Sequence, residues 1–354
     1  MTSEDLFKRL VDNAFDFLAR AIEDLRERPK HSVINFYAAV ELFLKARLMK
    51  EHWSLVVSKR QEPEWERFVA GDFVSVSLDE AAQRLTKVVK SGLTPAEYKE
   101  FQEVSRHRNK MVHFFHEADS REEGEALRAA IVKQQLIAWY FLNGLLAERW
   151  VSTFEEWSRE VDATRQRLKG HHAYLEVTYD HKRPEIEADK ASGTPYTVCP
   201  SCGFEAQKHN DLFKAVYSAN CVVCDLEQKC LRIACPKCSE VVTFRNDGFA
   251  TCASCGEEFE PQNLVDALID EGAAHIAAKD GDDSWDLGNC ADCEGYHTVV
   301  RTENDEYICA SCLGVFESLD VCGWCNEPNT GDMDDSTWNG CSHCDGRAGW
   351  EKDD

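Results

Sequence analysis

Residues 199–224 read CPSCGFEAQKHNDLFKAVYSANCVVC, and this stretch decides the fold of the C-terminal half of the chain. It contains two Cys-x-x-Cys pairs with a short segment between them. Two thiolates separated by two residues can bind one metal ion from a single tight turn, here called a knuckle. A second knuckle after a short hairpin completes the four-sulfur tetrahedron that zinc accepts. The stretch therefore predicts a small β module nucleated by a structural metal ion.

The same pattern occurs four times along the chain. Sixteen of the 17 cysteines form eight such pairs, all beyond residue 198, and Cys230 is left over. In chain order the pairs give four ligand sets: Cys199, Cys202, Cys221 and Cys224; Cys235, Cys238, Cys252 and Cys255; Cys290, Cys293, Cys309 and Cys312; Cys322, Cys325, Cys341 and Cys344. Four thiolates leave no coordination position open for water, so we expect about four structural Zn²⁺ ions and four zinc ribbons per chain.

The pairing of the knuckles has two alternatives. The last two sets repeat at a constant offset of 32 residues, from Cys290 to Cys322 and from Cys312 to Cys344. This offset favours consecutive sites, while the short gap between Cys312 and Cys322 leaves an interleaved pairing open. Disulfides are disfavoured because the polar, helix-like start of the chain predicts a cytoplasmic protein. Iron–sulfur clusters also use four cysteines, but knuckles flanked by Pro or Gly are typical of zinc ribbons.

Charge divides the chain near residue 170. Residues 1–170 contain 27 Lys and Arg against 28 Asp and Glu, whereas residues 171–354 contain 13 against 36. A surface that neutralises phosphates needs Lys and Arg, so the acidic half is disfavoured as a nucleic-acid reader. We expect the ribbons to face a protein partner or trigger. The simpler alternative is that the negative charge has no partner and only keeps the zinc-rich half of the chain in solution.

The first 170 residues have the pattern of helices throughout. Apolar residues recur at helical spacing, and three capping boxes mark helix starts at Ser77–Glu80, Thr94–Glu97 and Ser120–Glu123. Consecutive helices with short links predict an antiparallel bundle. We expect no membrane span because Lys and Glu interrupt every apolar run. The predicted fold class is therefore all-α, an N-terminal helical bundle followed by small, metal-nucleated β zinc-ribbon modules.

The predicted organisation has five parts, and weak strand character is expected early in the second of them, from Ala173 to Tyr179. In order they are a helical domain (1–170), a linker (171–194), two zinc ribbons (195–260), a connecting helix (261–280) and two tandem ribbons with the 32-residue repeat (281–354).

One helix of the bundle carries a charge where its apolar face should be. Over residues 95–115, Arg108 falls in the middle of an apolar stripe, and Asn109, His113 and His116 lie together on the adjoining flank. An arginine, an amide and imidazoles that converge beside an apolar face indicate a functional site, because local rules tend to fail at such sites. The alternative is that the helix ends near Arg106, so that Arg108 reaches solvent and His113 is an ordinary surface residue.

The sequence around Arg108 resembles a known motif. Arg108-Asn109-Lys110-Met111-Val112-His113 is similar to the signature of HEPN-superfamily ribonucleases, in which an Arg and a polar residue are followed, after three to five further residues, by His. These ribonucleases are helical-bundle domains. The segment from Ala38 to Ala46, which contains Glu41 and Lys45, looks like the Glu- and Lys-bearing second helix of those domains. The resemblance covers about residues 1–150 and does not extend to the ribbons.

The resemblance implies an activity and its residues. It implies a metal-independent endoribonuclease with Arg108, Asn109 and His113 as catalytic residues and Glu41, Lys45 and His116 as candidate supporting residues. The motif spacing favours His113 over His116 as the reacting imidazole, and an ordinary helix ion pair is the alternative role for Glu41 and Lys45. The resemblance further implies an RNA substrate and a homodimer formed through the helical domain. It also implies a role as a bacterial toxin or in antiphage defence by abortive infection.

Two other classes of function remain open. The helical domain could serve as a non-catalytic HEPN dimerisation or adaptor module that presents the zinc ribbons to a protein partner, although the intact motif disfavours this. A zinc-ribbon regulator of transcription or translation is disfavoured by the shortage of Lys and Arg in the ribbons. In the favoured hypothesis, the acidic ribbons target, sense or regulate the ribonuclease.

Overall fold

The chain forms two compact units, Met1–Arg183 and Pro184–Asp354. The computed structural model describes residues 2–113, 120–210, 215–246, 248–281, 287–302 and 305–350, without the side chains of His113, Arg121 and Trp350. About 53% of the described residues are helical and 16% are in strands.

The first unit is helical. Its helices are α1 (Ser3–Asp24), α2 (Pro29–Glu51), α3 (Trp65–Val69), α4 (Leu78–Arg84), α5 (Pro95–His113), α6 (Arg121–Gly144), α7 (Ser158–Lys169) and α8 (His172–Ala191), of which α8 runs past the end of the unit. The segments Leu85–Val89 and Leu145–Arg149 continue α4 and α6 as π-helical turns.

Helix α2 is central because it is apolar on nearly every side. Phe43 meets Phe15 and Phe154 edge to face, with ring centroids 5.0 and 5.7 Å apart. Phe36 packs on Trp139 of α6 at 4.6 Å. Buried aromatic pairs of this kind contribute stability beyond the area they bury. The packing therefore holds α2 firmly against α1 and α6.

The three predicted helix starts are confirmed. The Ser77 hydroxyl accepts the backbone N–H of Glu80, and the carboxylate of Glu80 accepts that of Ser77, both at 3.3 Å. The same reciprocal pair joins Thr94 and Glu97, at 2.7 and 3.3 Å. The Ser120 hydroxyl accepts the N–H of the third helical residue of α6 at 3.1 Å. Each cap satisfies backbone donors that the first helical turn leaves unpaired.

The segment predicted as a linker is largely helical. Residues 172–191 form α8, so the weak strand character expected from Ala173 to Tyr179 is wrong. Tyr174 and Val177 are 3% and 2% exposed and belong to the core of the helical unit. Their spacing of three residues is helical, and burial of that face stabilises the helix.

The second unit is built from strands. They are β1 (Tyr196–Val198), β2 (Glu205–Asn210), β3 (Val216–Cys221), β4 (Glu227–Ala234), β5 (Val241–Arg245), β6 (Ala250–Thr251), β7 (Glu258–Phe259), β8 (Gly288–Cys290), β9 (Gly295–Arg301), β10 (Tyr307–Cys309), β11 (Val315–Phe316), β12 (Asp320–Val321) and β13 (Pro328–Asn329). Strands β1 to β5 form one antiparallel sheet in chain order, and a six-stranded sheet has the order β11-β10-β9-β8-β13-β12.

The all-α fold class is therefore wrong, and the chain is a mixed α and β protein. The predicted ribbons do not remain isolated hairpins, because strands join neighbouring ribbons into continuous sheets. Strand β4 lies between the first two cysteine sets and pairs with both β3 and β5. The last two sets are joined by a parallel contact between β8 and β13, in which Asn289 lies opposite Asn329.

The segment 261–280 forms two helices where one was predicted. These are α9 (Pro261–Leu268) and α10 (Glu271–Asp280), and the short helices α11 (Ser336–Asn339) and α12 (Gly346–Trp350) follow later. The break occurs at Asp270, which is extended and whose carboxylate accepts the N–H of Ala273 at 3.0 Å. An Asp at this position caps a new helix better than it continues an old one. No helix within the described ranges is both long and apolar enough to cross a membrane.

Candidate metal centres and an arginine cleft

The sixteen paired cysteines converge in four groups of four. In each group the sulfur atoms all lie within 4.8 Å of one another. Cys199 and Cys224 are 3.6 Å apart, and Cys290 and Cys312 are 3.8 Å apart, measured between sulfur atoms. A tetrahedral ion with metal–sulfur bonds of about 2.3 Å separates its ligands by about 3.8 Å. Each group therefore matches the cage of a single tetrahedral ion.

The pairing of the knuckles is consecutive, as the 32-residue repeat favoured. Each group joins neighbouring knuckles, so the interleaved alternative does not hold for the third and fourth sets. The sulfur separations are far longer than the roughly 2.05 Å of a disulfide bond. A cluster of several iron atoms needs a wider cage than these sulfurs enclose.

The backbone shapes the knuckles. In the first knuckle Cys199 donates its N–H to Phe204 at 2.8 Å, and Gly203 donates its N–H to the carbonyl of Cys199 at 2.9 Å. In the second set the N–H of Ser239 bonds to the carbonyl of Cys235 at 2.8 Å. The residue after the second cysteine is left-handed, with φ of 76° at Gly203 and 63° at Ser239. Gly adopts this conformation without steric cost, which explains its place in the sequence.

The leftover Cys230 belongs to none of the four groups. It lies on β4, is 1% exposed, and packs with Tyr217 and Ala219. Burial raises the pKa of the Cys230 thiol, which disfavours the reactive thiolate. Cys230 is therefore a core residue, in agreement with its exclusion from the sequence pattern.

In the helical unit, α5 directs Arg108 toward α2. The Nη2 atom of Arg108 lies 3.6 Å from Oε2 of Glu41, and its guanidinium carbon lies 4.5 Å from the centre of the Tyr37 ring. Its Nη1 donates to the side-chain oxygen of Asn109 at 2.9 Å. The Arg108 side chain is 27% exposed, so the guanidinium is fixed on one side and open to solvent on the other.

These residues line an open cleft of about 350 Å³. Its remaining lining side chains include Ser77, Asp79, Gln102, Ser105 and Arg106. Burial raises the pKa of the Tyr37 phenol, the charge of Glu41 raises it further, and a hydrogen bond with Ser105 opposes both. The cleft thus combines two guanidinium groups, two carboxylates and several neutral hydrogen-bonding groups.

The other candidate residues have different positions. Among the described residues Glu41 forms its ion pair with Arg108 and not with Lys45, which is half-buried one turn further along α2. His113 is the last residue of α5, and its side chain lies outside the described part. His116 lies outside the described residues altogether.

Sequence reasoning missed Tyr37 and Ser105 as members of this site. Tyr37 precedes Glu41 by one helical turn and Ser105 precedes Arg108 by three residues, so each lies on the same helix face as a predicted residue. That spacing is the one signal in the sequence that could have identified them.

Comparisons with protein-family models, curated proteins and solved structures give no significant match for this chain.

Proposed function

We propose that the helical unit is a metal-independent endoribonuclease of the HEPN type, with Arg108 as its phosphate-binding residue. The observation that carries the proposal is the setting of this arginine. Its guanidinium is placed by the Tyr37 ring and the Glu41 carboxylate, yet keeps one side open to a solvent-filled cleft. A fixed guanidinium with free N–H groups can stabilise a phosphorane through parallel hydrogen bonds.

The proposed reaction uses the ribose itself as the nucleophile. An imidazole, assigned to His113 from the motif, takes the proton of a 2′-hydroxyl or gives one to the leaving 5′-oxygen. The 2′-oxygen bonds to phosphorus as the bond to the 5′-oxygen breaks, giving a 2′,3′-cyclic phosphate and a 5′-hydroxyl. Arg108 stabilises the charge on the non-bridging oxygens, and Asn109 holds the guanidinium in orientation.

Glu41 fits the role of a displaceable counter-ion in this scheme. Its separation of 3.6 Å from Arg108 is longer than the 2.7–2.9 Å of a strong charged hydrogen bond. An incoming phosphate can therefore make a closer contact with Arg108 than Glu41 does. Without RNA, the carboxylate neutralises a cation whose side chain is three-quarters buried.

The proposal includes further parts that follow from the motif and the composition. The reaction needs one group to take the 2′-hydroxyl proton, another to give a proton to the 5′-oxygen, and a cation to stabilise the phosphorane. One motif with a single His and a single Arg is not enough for these roles, so in the proposal a homodimer through the helical unit supplies two motifs to one cleft. The four Cys₄ groups hold structural zinc in a reducing cytoplasm. The acidic second unit then serves as a targeting, sensing or regulatory module that contacts a protein partner, in a toxin or antiphage-defence setting.

The test is cleavage of single-stranded RNA by the zinc-loaded protein and three variants. Arg108→Ala and His113→Ala should each lose about 10² or more in rate, while Lys99→Ala, an exposed position on the same helix, should match the parent. Products from the parent should carry the cyclic phosphate. Cleavage by the Arg108 and His113 variants at the rate of the parent would refute the proposal.

A non-catalytic adaptor is the second candidate. The observation in its favour is the Glu41–Arg108 pair itself, since an arginine kept for packing would also need a counter-ion. A parent protein that cuts no RNA, yet dimerises and binds a protein through its second unit, would support the adaptor.

A further inference from the structure

A second cavity lies within the helical unit, apart from the Arg108 cleft. It is a groove of about 600 Å³ between the end of α1, the start of α2, one face of α6 and the start of α8. It shares no lining residue with the Arg108 cleft. Small-molecule sites usually enclose about 300–1,000 Å³, so the groove has the size of a ligand site.

The floor of the groove is apolar and belongs to the packed core. Leu25, Leu136 and Val177 line it and are 4%, 1% and 2% exposed. Pro29 and Ala129 extend the apolar lining toward the surface. Because these side chains are fixed by the bundle, the floor offers a preformed surface for an apolar group.

The rim of the groove is positively charged. Arg26, Arg128 and Lys133 line it with exposed side chains, and within the described ranges no carboxylate forms an ion pair with any of the three. One carboxylate in the described lining, Glu176, opposes them. Two net positive charges therefore remain at the rim, before any contribution from histidine.

The start of α8 adds to this positive field. His171 and His172 line the groove where the helix begins, so the partial positive charge of the helix end faces it. Burial lowers the pKa of His171, and the charges of Arg26 and Arg167 lower it further. Arg26, just after α1, and Arg167 of α7 thus act on the same small region as the helix end.

We propose that this groove binds a small phosphate monoester whose organic part is apolar or flat. A phosphate monoester carries a charge of about −1.5 to −2 near neutral pH, which matches the rim better than the single charge of a carboxylate. The apolar floor accommodates the organic part. An alkyl phosphate and a nucleoside 5′-monophosphate share this chemistry, and the experiment separates them.

The experiment is isothermal titration of the full-length, zinc-loaded protein with three probes. The probes all present a phosphate anion. Octyl phosphate carries an alkyl chain, adenosine 5′-monophosphate carries a nucleoside, and inorganic phosphate carries no organic group. We expect at least one of the two esters to bind about tenfold or more tightly than inorganic phosphate, because burial of each CH₂ contributes about 0.8 kcal/mol. The ester that binds more tightly shows whether the organic part of the ligand is an alkyl chain or a nucleoside.

Matched variants locate the binding. Arg128→Glu and Lys133→Glu should each weaken the ester by about tenfold or more, and Ala129→Trp, which fills the groove without a change of charge, should abolish binding. Arg9→Glu, an exposed charge reversal on α1 away from the groove, should bind as the parent does. Circular dichroism establishes that each variant is folded. If Ala129→Trp does not fold, the two charge reversals at exposed positions decide the question.

Any of three results would overturn the proposal. The first is equal affinity for inorganic phosphate and both esters, which would remove any role for the apolar floor. The second is unchanged ester binding in Arg128→Glu and Lys133→Glu, and the third is a loss of ester binding in Arg9→Glu equal to the loss in those two variants. None of these measurements uses RNA cleavage, so the groove and the ribonuclease proposal can fail independently.

Discussion

Glu97 and Arg149 form a two-pronged ion pair, in which both carboxylate oxygens of Glu97 accept from the guanidinium at 2.8 Å. The Glu97 side chain is 7% exposed, and it also accepts the N–H of Thr94 at 2.7 Å. One carboxylate thus caps α5 and ties its start to the π-helical turn after α6. This pair fixes where the helix that carries Arg108 begins.

Replacement of Glu97 should destabilise the helical unit. Glu97→Ala removes the cap and leaves Arg149 without its carboxylate, and we expect the free energy of unfolding to fall by about 2–4 kcal/mol. Asp16→Ala, at an exposed position on α1, should change it by less than about 0.5 kcal/mol. Urea unfolding followed by helical circular dichroism measures both. An equal effect of the two substitutions would show that the pair is not stabilising.

The Tyr37 ring should act on the proposed cleavage through its face and not its hydroxyl. Tyr37→Phe keeps the ring beneath Arg108 and should keep most of the rate, whereas Tyr37→Leu removes the cation–π contact and should lower kcat by about tenfold. Steady-state kinetics on a short RNA, with thermal unfolding of each variant, checks this. Equal rates for the Phe and Leu variants would exclude a positioning role for the ring.

Zinc content should follow the geometry of the four groups. Metal analysis of the purified protein should give close to four zinc ions per chain, and Cys199→Ser or Cys341→Ser should each lower this number by about one. Cys230→Ser is the matched control and should leave the number unchanged, since Cys230 lies in none of the groups. A brown protein that contains iron would contradict the assignment of zinc.

The features that the sequence predicted are those that depend on local chemistry. Knuckles and capping boxes use residues at most a few positions apart, so their spacing is visible in the chain. The cysteine groups were also predictable in their pairing, because the repeat from Cys290 to Cys322 reflects one duplicated hairpin. In the helical unit, Arg108 stood out because a charge interrupted an otherwise apolar face.

The features that the sequence did not predict depend on tertiary pairing. Strand β4 follows a knuckle and carries mixed polar and apolar residues, and its partners on both sides determine its length. The ion pair between Glu41 and Arg108 joins helices that are distant in sequence, so the local Glu41–Lys45 alternative was equally plausible from the sequence. The helical character of α8 was not predicted because its apolar residues are few and Pro184 interrupts it.

The end of the helical unit gives the last prediction. The predicted domain boundary at residue 170 removes α8, although Tyr174 and Val177 are buried in the helical core. Each buried side chain of this size contributes about 1.5–3 kcal/mol, so a fragment of residues 1–170 should be about 3–6 kcal/mol less stable than one of residues 1–183. That loss is a large fraction of the free energy of unfolding of a typical domain, which is roughly 5–15 kcal/mol.

We therefore expect residues 1–183 to unfold in one cooperative transition and residues 1–170 to be partly unfolded at the same temperature. Tyr174→Ala in the longer fragment should give an intermediate stability, and differential scanning calorimetry can rank all three. Identical transition temperatures for the two fragments would show that α8 adds nothing to the core.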